Sequence, residues 1–117
     1  MSNRTVSNTD DNKALAENSF RQMTDYLENL LTRQLEKVRN YDLDGAMALA
    51  QEANNMAMNI GREKILDRPE FADERRRIHK LYKELGLIIA SEREDVADKL
   101  RQIRKGMQAL ETYGDNM

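Results

Sequence analysis

The sequence predicts an all-α protein. The predicted fold is an antiparallel three-helix bundle that occupies residues 12–117 and has an extended third helix. Only five glycines and one proline occur in 117 residues. The apolar residues are mostly Leu, Ala and Met, which lose little side-chain freedom in a helix, whereas the β-branched residues that favour strands are few. The apolar residues also recur at intervals of three and four, the helical period. The length suits one domain with its own core.

The first helix is predicted from about Asn12 to Arg39. Residues 1–11 are polar, with little apolar content, and we expect them to form a disordered tail. The apolar face of the first helix consists of Phe20, Met23, Leu27, Leu30, Leu31, Leu35 and Val38.

The second helix is predicted from Leu43 to about Leu66, after a turn at residues 40–42. Asp42 stands where an N-cap belongs, and Asp44 adds favourable negative charge in the first turn. The apolar face is made of small residues and methionines, which allow neighbouring helices to approach closely. Its members are Ala46, Met47, Ala50, Ala53, Met56, Ala57 and Ile60.

The third helix is predicted to begin near Pro69, which suits a first helical turn and excludes Arg68 from the helical conformation. No clear stop follows until Tyr113 and Gly114. Its apolar face consists of Phe71, Ile78, Leu81, Leu85, Ile88, Ile89, Val96, Leu100, Ile103, Met107 and Leu110. Where the three helices overlap, we expect a shared core of Leu27, Leu31, Ala50, Ala53, Leu81 and Leu85.

The predicted lengths suggest a binding surface at the end of the third helix. That helix would span roughly 65 Å, against roughly 35–40 Å for the other two, so its last part would extend beyond them. An apolar seam without a cover in the chain implies a partner. The seam is Val96, Leu100, Ile103, Met107 and Leu110. The alternative is a kink near Ser91 that folds the last turns back as a fourth helix. In that case, the next candidates for partner binding are Met47, Met56 and Met58 on helix two.

Several classes of chemistry lack the residues they need, so the sequence predicts no catalytic site, metal or cofactor. The chain contains no cysteine and one histidine, His79. A di-iron bundle needs two Glu-x-x-His motifs, and no Gly-rich phosphate loop is present. The lysine and glycine after His79 stand at the wrong offsets for a phosphotransfer histidine, and we expect a solvated surface residue there.

The charges argue against a nucleic-acid partner. Nineteen Lys and Arg nearly balance 21 Asp and Glu, and a polyanion binder needs an excess of positive charge. Three consecutive arginines, Arg75, Arg76 and Arg77, point in different directions around a helix and have acidic neighbours at salt-bridge spacing.

No apolar run is long enough to span a bilayer, and the N-terminal residues lack the pattern of a signal peptide. We therefore expect a cytoplasmic protein.

Three features make the chain resemble the flagellar type III export chaperones of the FliT-like kind, which serve the filament-cap protein. These features are the acidic turn Tyr41-Asp42-Leu43-Asp44, the run of Arg62 with Ile65 and Leu66, and the closing stretch from Gly106 to Gly114. The resemblance covers about residues 20–115. It implies a helical bundle whose last helix holds the amphipathic C-terminal segment of a hook-associated protein before secretion. On the matching stretch, Leu100, Ile103, Met107, Leu110 and Tyr113 would contact that client.

Two other functions remain open at this point. The apolar seam of a client-binding protein and that of a homodimeric helical bundle look the same in a sequence. A small regulator that binds a transcription or signalling protein also fits. None of the three hypotheses involves catalysis: the first is a binding module, the second a structural assembly component and the third a regulator.

Overall fold

The computed structural model describes the backbone of residues 2–91 and 105–113, and the side chains of residues 13–91 and 105–111. Within these ranges the chain forms helices and turns and contains no strand, so the predicted all-α helical bundle is confirmed. The α-helices in these ranges are α1 (Ser2–Arg39), α2 (Leu43–Arg62), α3 (Ala72–Ser91) and α4 (Lys105–Tyr113). Two short 3₁₀ turns, Ile65–Asp67 and Pro69–Phe71, link α2 to α3.

The longest described helix is the first one. Helix α1 contains 38 residues, whereas α2 and α3 contain 20 each, which gives lengths of about 57 Å and 30 Å. The helix begins at Ser2, ten residues before the predicted start at Asn12. The first part of α1 therefore extends beyond the bundle. The assignment of residues 1–11 to a disordered tail stays a prediction.

The turn between α1 and α2 has the predicted cap. The side chain of Asp42 accepts a hydrogen bond of 3.0 Å from the amide of Gly45, and Asp44 lies in the first turn of α2. Tyr41 adopts the left-handed conformation with φ of 59°, which allows the chain to reverse between the two helices. The carboxylate satisfies one of the free amides at the start of α2.

The second connection is longer than predicted because α2 ends at Arg62 instead of Leu66. Lys64 takes the left-handed conformation, with φ of 51°, and opens a 3₁₀ turn. Arg68 is extended, with ψ of 137°, as expected for a residue before proline. Pro69 begins the second 3₁₀ turn, and α3 follows from Ala72. The buried Ile65, Leu66 and Phe71 close this end of the core.

The core follows the predicted apolar faces with one correction. Leu27, Leu31, Ala50, Ala53 and Leu85 are buried. The sixth predicted core residue, Leu81, is only half-buried. Helix α3 is turned so that the inward positions are Ile78, Tyr82, Leu85 and Ile89. The prediction for Leu81 is wrong because Tyr82, which fits the helical period equally well, takes the inward position.

Helix α4 packs against α2, which makes a fourth helix of the C-terminal segment. Its contact with the bundle is close at Gly106. A Cβ atom at this glycine would lie 2.9 Å from Asn54 Oδ1 and closer still to the hydroxyl of Tyr82. Leu110, one turn later, is 2% exposed. The predicted overshoot of this segment is therefore wrong for α4, and the fourth-helix alternative describes it. The predicted kink near Ser91 leads into residues 92–104, outside the described residues.

Ion pairs connect α3 to α1. Arg21 lies 3.2 Å from Glu74, and Arg77 lies 2.7 Å from Glu28. Pairs at the surface contribute about 0–1 kcal/mol each, so they add little to the stability of the fold. Arg77 also approaches Glu74 at 3.7 Å, which agrees with the prediction that the arginine cluster is paired.

Candidate functional site

A groove of about 720 Å³ lies between α3 and α4. It is lined by Arg76, His79, Lys80, Tyr82, Lys83, Gly86, Leu87, Ala90 and Met107. Eight of these residues belong to α3 and one to α4. Gly106 meets Tyr82, and the charge of Glu111 acts on His79. Helix α4 therefore runs antiparallel to α3, and the groove is a face of α3 that Met107 of α4 borders.

The lining residues of α3 form one continuous stripe with two different halves. Arg76, Lys80 and Lys83 stand at intervals of four and three residues, so they lie on one face over two turns. Leu87 and Ala90 continue the same face at the same intervals. One half of the stripe is therefore basic and the other is apolar.

The apolar half exposes a large apolar side chain. Leu87 is 61% exposed, and Ala90 beside it is also exposed. Across the groove, Met107 is half-buried and packs against the core. A methionine side chain is flexible and adapts to apolar surfaces of different shapes. Together these residues offer a partner an apolar contact of the kind that binding grooves use.

The basic half carries charge that the other described residues of the bundle do not neutralise. Arg76 forms an ion pair with Asp73 one turn earlier. Lys80 and Lys83 are both exposed, and neither has an ion pair with any residue whose side chain the structure describes. The chain as a whole has a net charge of −2, so this stripe is a local reversal of sign.

The pKa of His79 reflects burial and charge near the groove. Its pKa lies below the ordinary value of 6.5, first because partial burial disfavours the charged imidazolium and second because Arg75 is positively charged. Glu111 on α4 opposes this shift. The pKa of the single histidine therefore responds to charges on both α3 and α4.

Gly86 marks the place where a partner backbone could approach α3 most closely. A Cβ atom at this position would meet no other atom within 4 Å among the described residues. A glycine inside a helix costs about 1 kcal/mol relative to alanine. The described bundle does not need this glycine for packing, in contrast to Gly106.

The structure separates the predicted partner-binding residues. Met107 lines the groove, whereas Leu110 lies in the core. Tyr113 ends α4, and its side chain is outside the described residues. The remaining three, Val96, Leu100 and Ile103, also lie outside the described part of the chain. Their role in binding stays a prediction.

The methionines of α2 do not form one surface. Met47 lines a separate cavity of about 550 Å³ that Lys105 also borders. Met58 is 39% exposed. Met56 packs against the core and lies half a turn of helix away from Met47, because nine residues correspond to two and a half turns. The predicted methionine face is therefore divided between two sides of α2.

Among the residues that the structure describes, no group of three or more His, Cys, Asp and Glu side chains is placed to hold a metal ion. No helix in the same part of the chain is long and apolar enough to cross a membrane. Comparison with protein-family models, curated proteins and solved structures finds no match for this chain.

Sequence reasoning missed Leu87 and the stripe it belongs to. The signal was present, since Leu87 is an apolar residue at helical spacing from Lys80 and Lys83 on an otherwise polar face. In the sequence, however, Lys80 follows the three arginines closely and looks like part of their paired cluster. The position of α4, which makes the stripe into a groove, has no such signal.

Proposed function

We propose that this chain is a non-enzymatic, cytoplasmic protein-binding module that holds a helical segment of another protein. One observation carries the proposal: the groove between α3 and α4 keeps Leu87 61% exposed beside Met107. A folded monomer gains nothing from an exposed leucine in a concave surface, whereas a bound helix would cover it. The resemblance to flagellar export chaperones supplies the client class, the amphipathic C-terminal segment of a hook-associated protein.

The test is a binding experiment with a matched pair of leucine variants. A synthetic C-terminal segment of a filament-cap protein is titrated into the purified chain by isothermal calorimetry. We expect a complex of one chain with one segment, and loss of binding in Leu87→Asp. Leu15→Asp is the control, because Leu15 is 64% exposed on α1 and lies away from the groove.

Light scattering on the same samples tests the alternative, a homodimeric bundle. The chain alone should have the monomer mass of 13.6 kDa at micromolar concentration. A doubled mass that Leu87→Asp returns to 13.6 kDa, with no binding of the segment, would favour the homodimer and contradict the proposal.

A further inference from the structure

We propose that the partner of the α3–α4 groove is an acidic amphipathic helix, with its carboxylates over Lys80 and Lys83 and its apolar residues over Leu87. This inference rests on the proposed function and specifies the chemistry of the client. It follows from the order of residues along the stripe, which is basic over one half and apolar over the other.

Charge complementarity favours an acidic partner. Lys80 and Lys83 have no ion pair among the described side chains. Within the same part of the chain, Arg76 is paired only with the neighbouring Asp73. Carboxylates of a partner can pair with the two lysines without displacing an ion pair between described residues. Complementary charge of this kind fixes orientation and rejects partners of the wrong sign.

A second copy of the chain fits this groove poorly. If two α3 helices packed antiparallel around Lys83, that lysine would face its own copy and Lys80 would face Gly86, next to Leu87. If they packed parallel, lysines would face lysines along the basic half. Because a twofold interface repeats the same surface on both sides, neither arrangement supplies the missing carboxylates.

Gly86 leaves room for the backbone of a partner helix. It stands between the basic and apolar halves, and a Cβ atom there would meet nothing within 4 Å in the described bundle. A partner helix can approach the backbone of α3 more closely at a glycine than at any other residue. The stripe from Arg76 to Ala90 corresponds to about 21 Å, so a helix of about 15 residues covers it.

The test uses three fluorescent synthetic peptides of identical apolar residues. The first carries glutamates over the half that faces the lysines, the second carries glutamines there, and the third carries lysines. Fluorescence anisotropy should show the glutamate peptide binding about tenfold more tightly than the glutamine peptide, because two or three exposed ion pairs combine to about that factor. The difference should shrink between about 50 and 500 mM NaCl as the charges are screened.

A charge reversal with a matched control locates the effect. Lys80→Glu with Lys83→Glu should bring the affinity for the glutamate peptide below that of the glutamine peptide and strengthen binding of the lysine peptide. Lys13→Glu with Arg33→Glu changes the net charge of the protein equally on exposed positions of α1. This control should keep the original order of affinities. Gly86→Ala should weaken all three peptides severalfold while the helical circular-dichroism signal is kept.

The results distinguish an acidic partner from helix binding in general. If Leu87→Asp abolishes binding but the three peptides bind equally and the charge reversal changes nothing, the groove binds helices and the acidic partner is refuted. The acidic partner is also refuted if the Lys13 and Arg33 variant reverses the order of affinities. If the three peptides and the filament-cap segment all fail to bind, the proposed function fails, and this inference fails with it.

Discussion

Gly106→Ala tests the packing of α4, which creates the groove. The substitution adds one methyl group between α4, α2 and α3. Its carbon would lie 2.9 Å from Asn54 Oδ1 and 3.1 Å from Tyr82 Cζ, and the tyrosine hydroxyl would be closer still. Separations of this size fall inside van der Waals contact, so α4 or the ring of Tyr82 must move.

The size of the effect follows from two opposed contributions. Overpacking a well-packed site costs about 1–3 kcal/mol, and several close contacts with two side chains place Gly106→Ala in the upper part of that range. Replacing glycine by alanine inside a helix returns at most about 1 kcal/mol. We therefore expect the free energy of unfolding to fall by about 1–2 kcal/mol.

Tyr82→Phe provides the second half of a double-mutant cycle. The Tyr82 hydroxyl is buried without a hydrogen-bond partner among the described residues, and burial raises the pKa of this phenol, which keeps it protonated. Removing the oxygen should cost little or stabilise slightly, because no hydrogen bond is lost. It also removes the closest contact of the new methyl group. The two substitutions should therefore couple favourably by about 1 kcal/mol.

Urea unfolding followed by circular dichroism measures all three variants. For a chain of this size, a loss of about 1–2 kcal/mol lowers the urea midpoint by about 0.5–1.5 M. A Gly106→Ala variant as stable as the parent, or more stable, would refute the close packing of α4 at Tyr82 and Asn54. A cycle without coupling would show that the hydroxyl is not the obstructing group.

Three further predictions follow from burial and charge. Leu110→Ala should lower the free energy of unfolding by about 2–5 kcal/mol in urea denaturation, because Leu110 is 2% exposed. The control Leu87→Ala, at a residue that is 61% exposed, should change this free energy by less than about 0.5 kcal/mol. Equal effects would mean that α4 is not part of the core. The hydrogen bond from Gly45 and the nearby Lys37 lower the pKa of Asp42. The cap therefore stabilises the fold above the ordinary aspartate pKa and is lost as pH falls through the lower folded value, so Asp42→Ala should lower the urea midpoint at pH 7 and flatten this acid dependence. The pKa of His79, read from its single imidazole NMR signal, should lie below 6.5. Because the unfolded chain then binds the proton more strongly, this residue makes the fold less stable as pH falls below 6.5. A pKa above 6.5 would contradict the partial burial.

The local features of the fold were predictable because each depends on residues close in sequence. The position of Asp42 after a helical stripe was sufficient to identify the cap. The buried face of α2, from Ala46 to Ile60, followed from its period. The orientation of α3 was not predictable in the same way. Leu81 and Tyr82 both continue a pattern of threes and fours, and hydrophobicity alone favours the leucine.

The fourth helix was the largest difference from the primary prediction, and its cause is tertiary. Periodicity continues from α3 to Leu110 and gives no sign of where the chain reverses. With α4 packed on α2, the longest described helix is α1, which has almost twice the length of α2. The sequence predicted the excess helix length in the third helix, whereas the structure has it in α1.

Gly86 and Gly106, the two glycines in the third predicted helix, show how far the candidate site can be predicted from the sequence. Both weaken a helix by about the same amount, and the sequence does not distinguish them. In the structure Gly106 lies against Asn54 and Tyr82, whereas Gly86 faces open space among the described residues. The cost of Gly106 is therefore offset inside the monomer by the packing of α4. The destabilisation of α3 by Gly86 is not offset by packing within the described bundle. In the proposed complex, a helix bound at the groove between Lys83 and Leu87 would offset it.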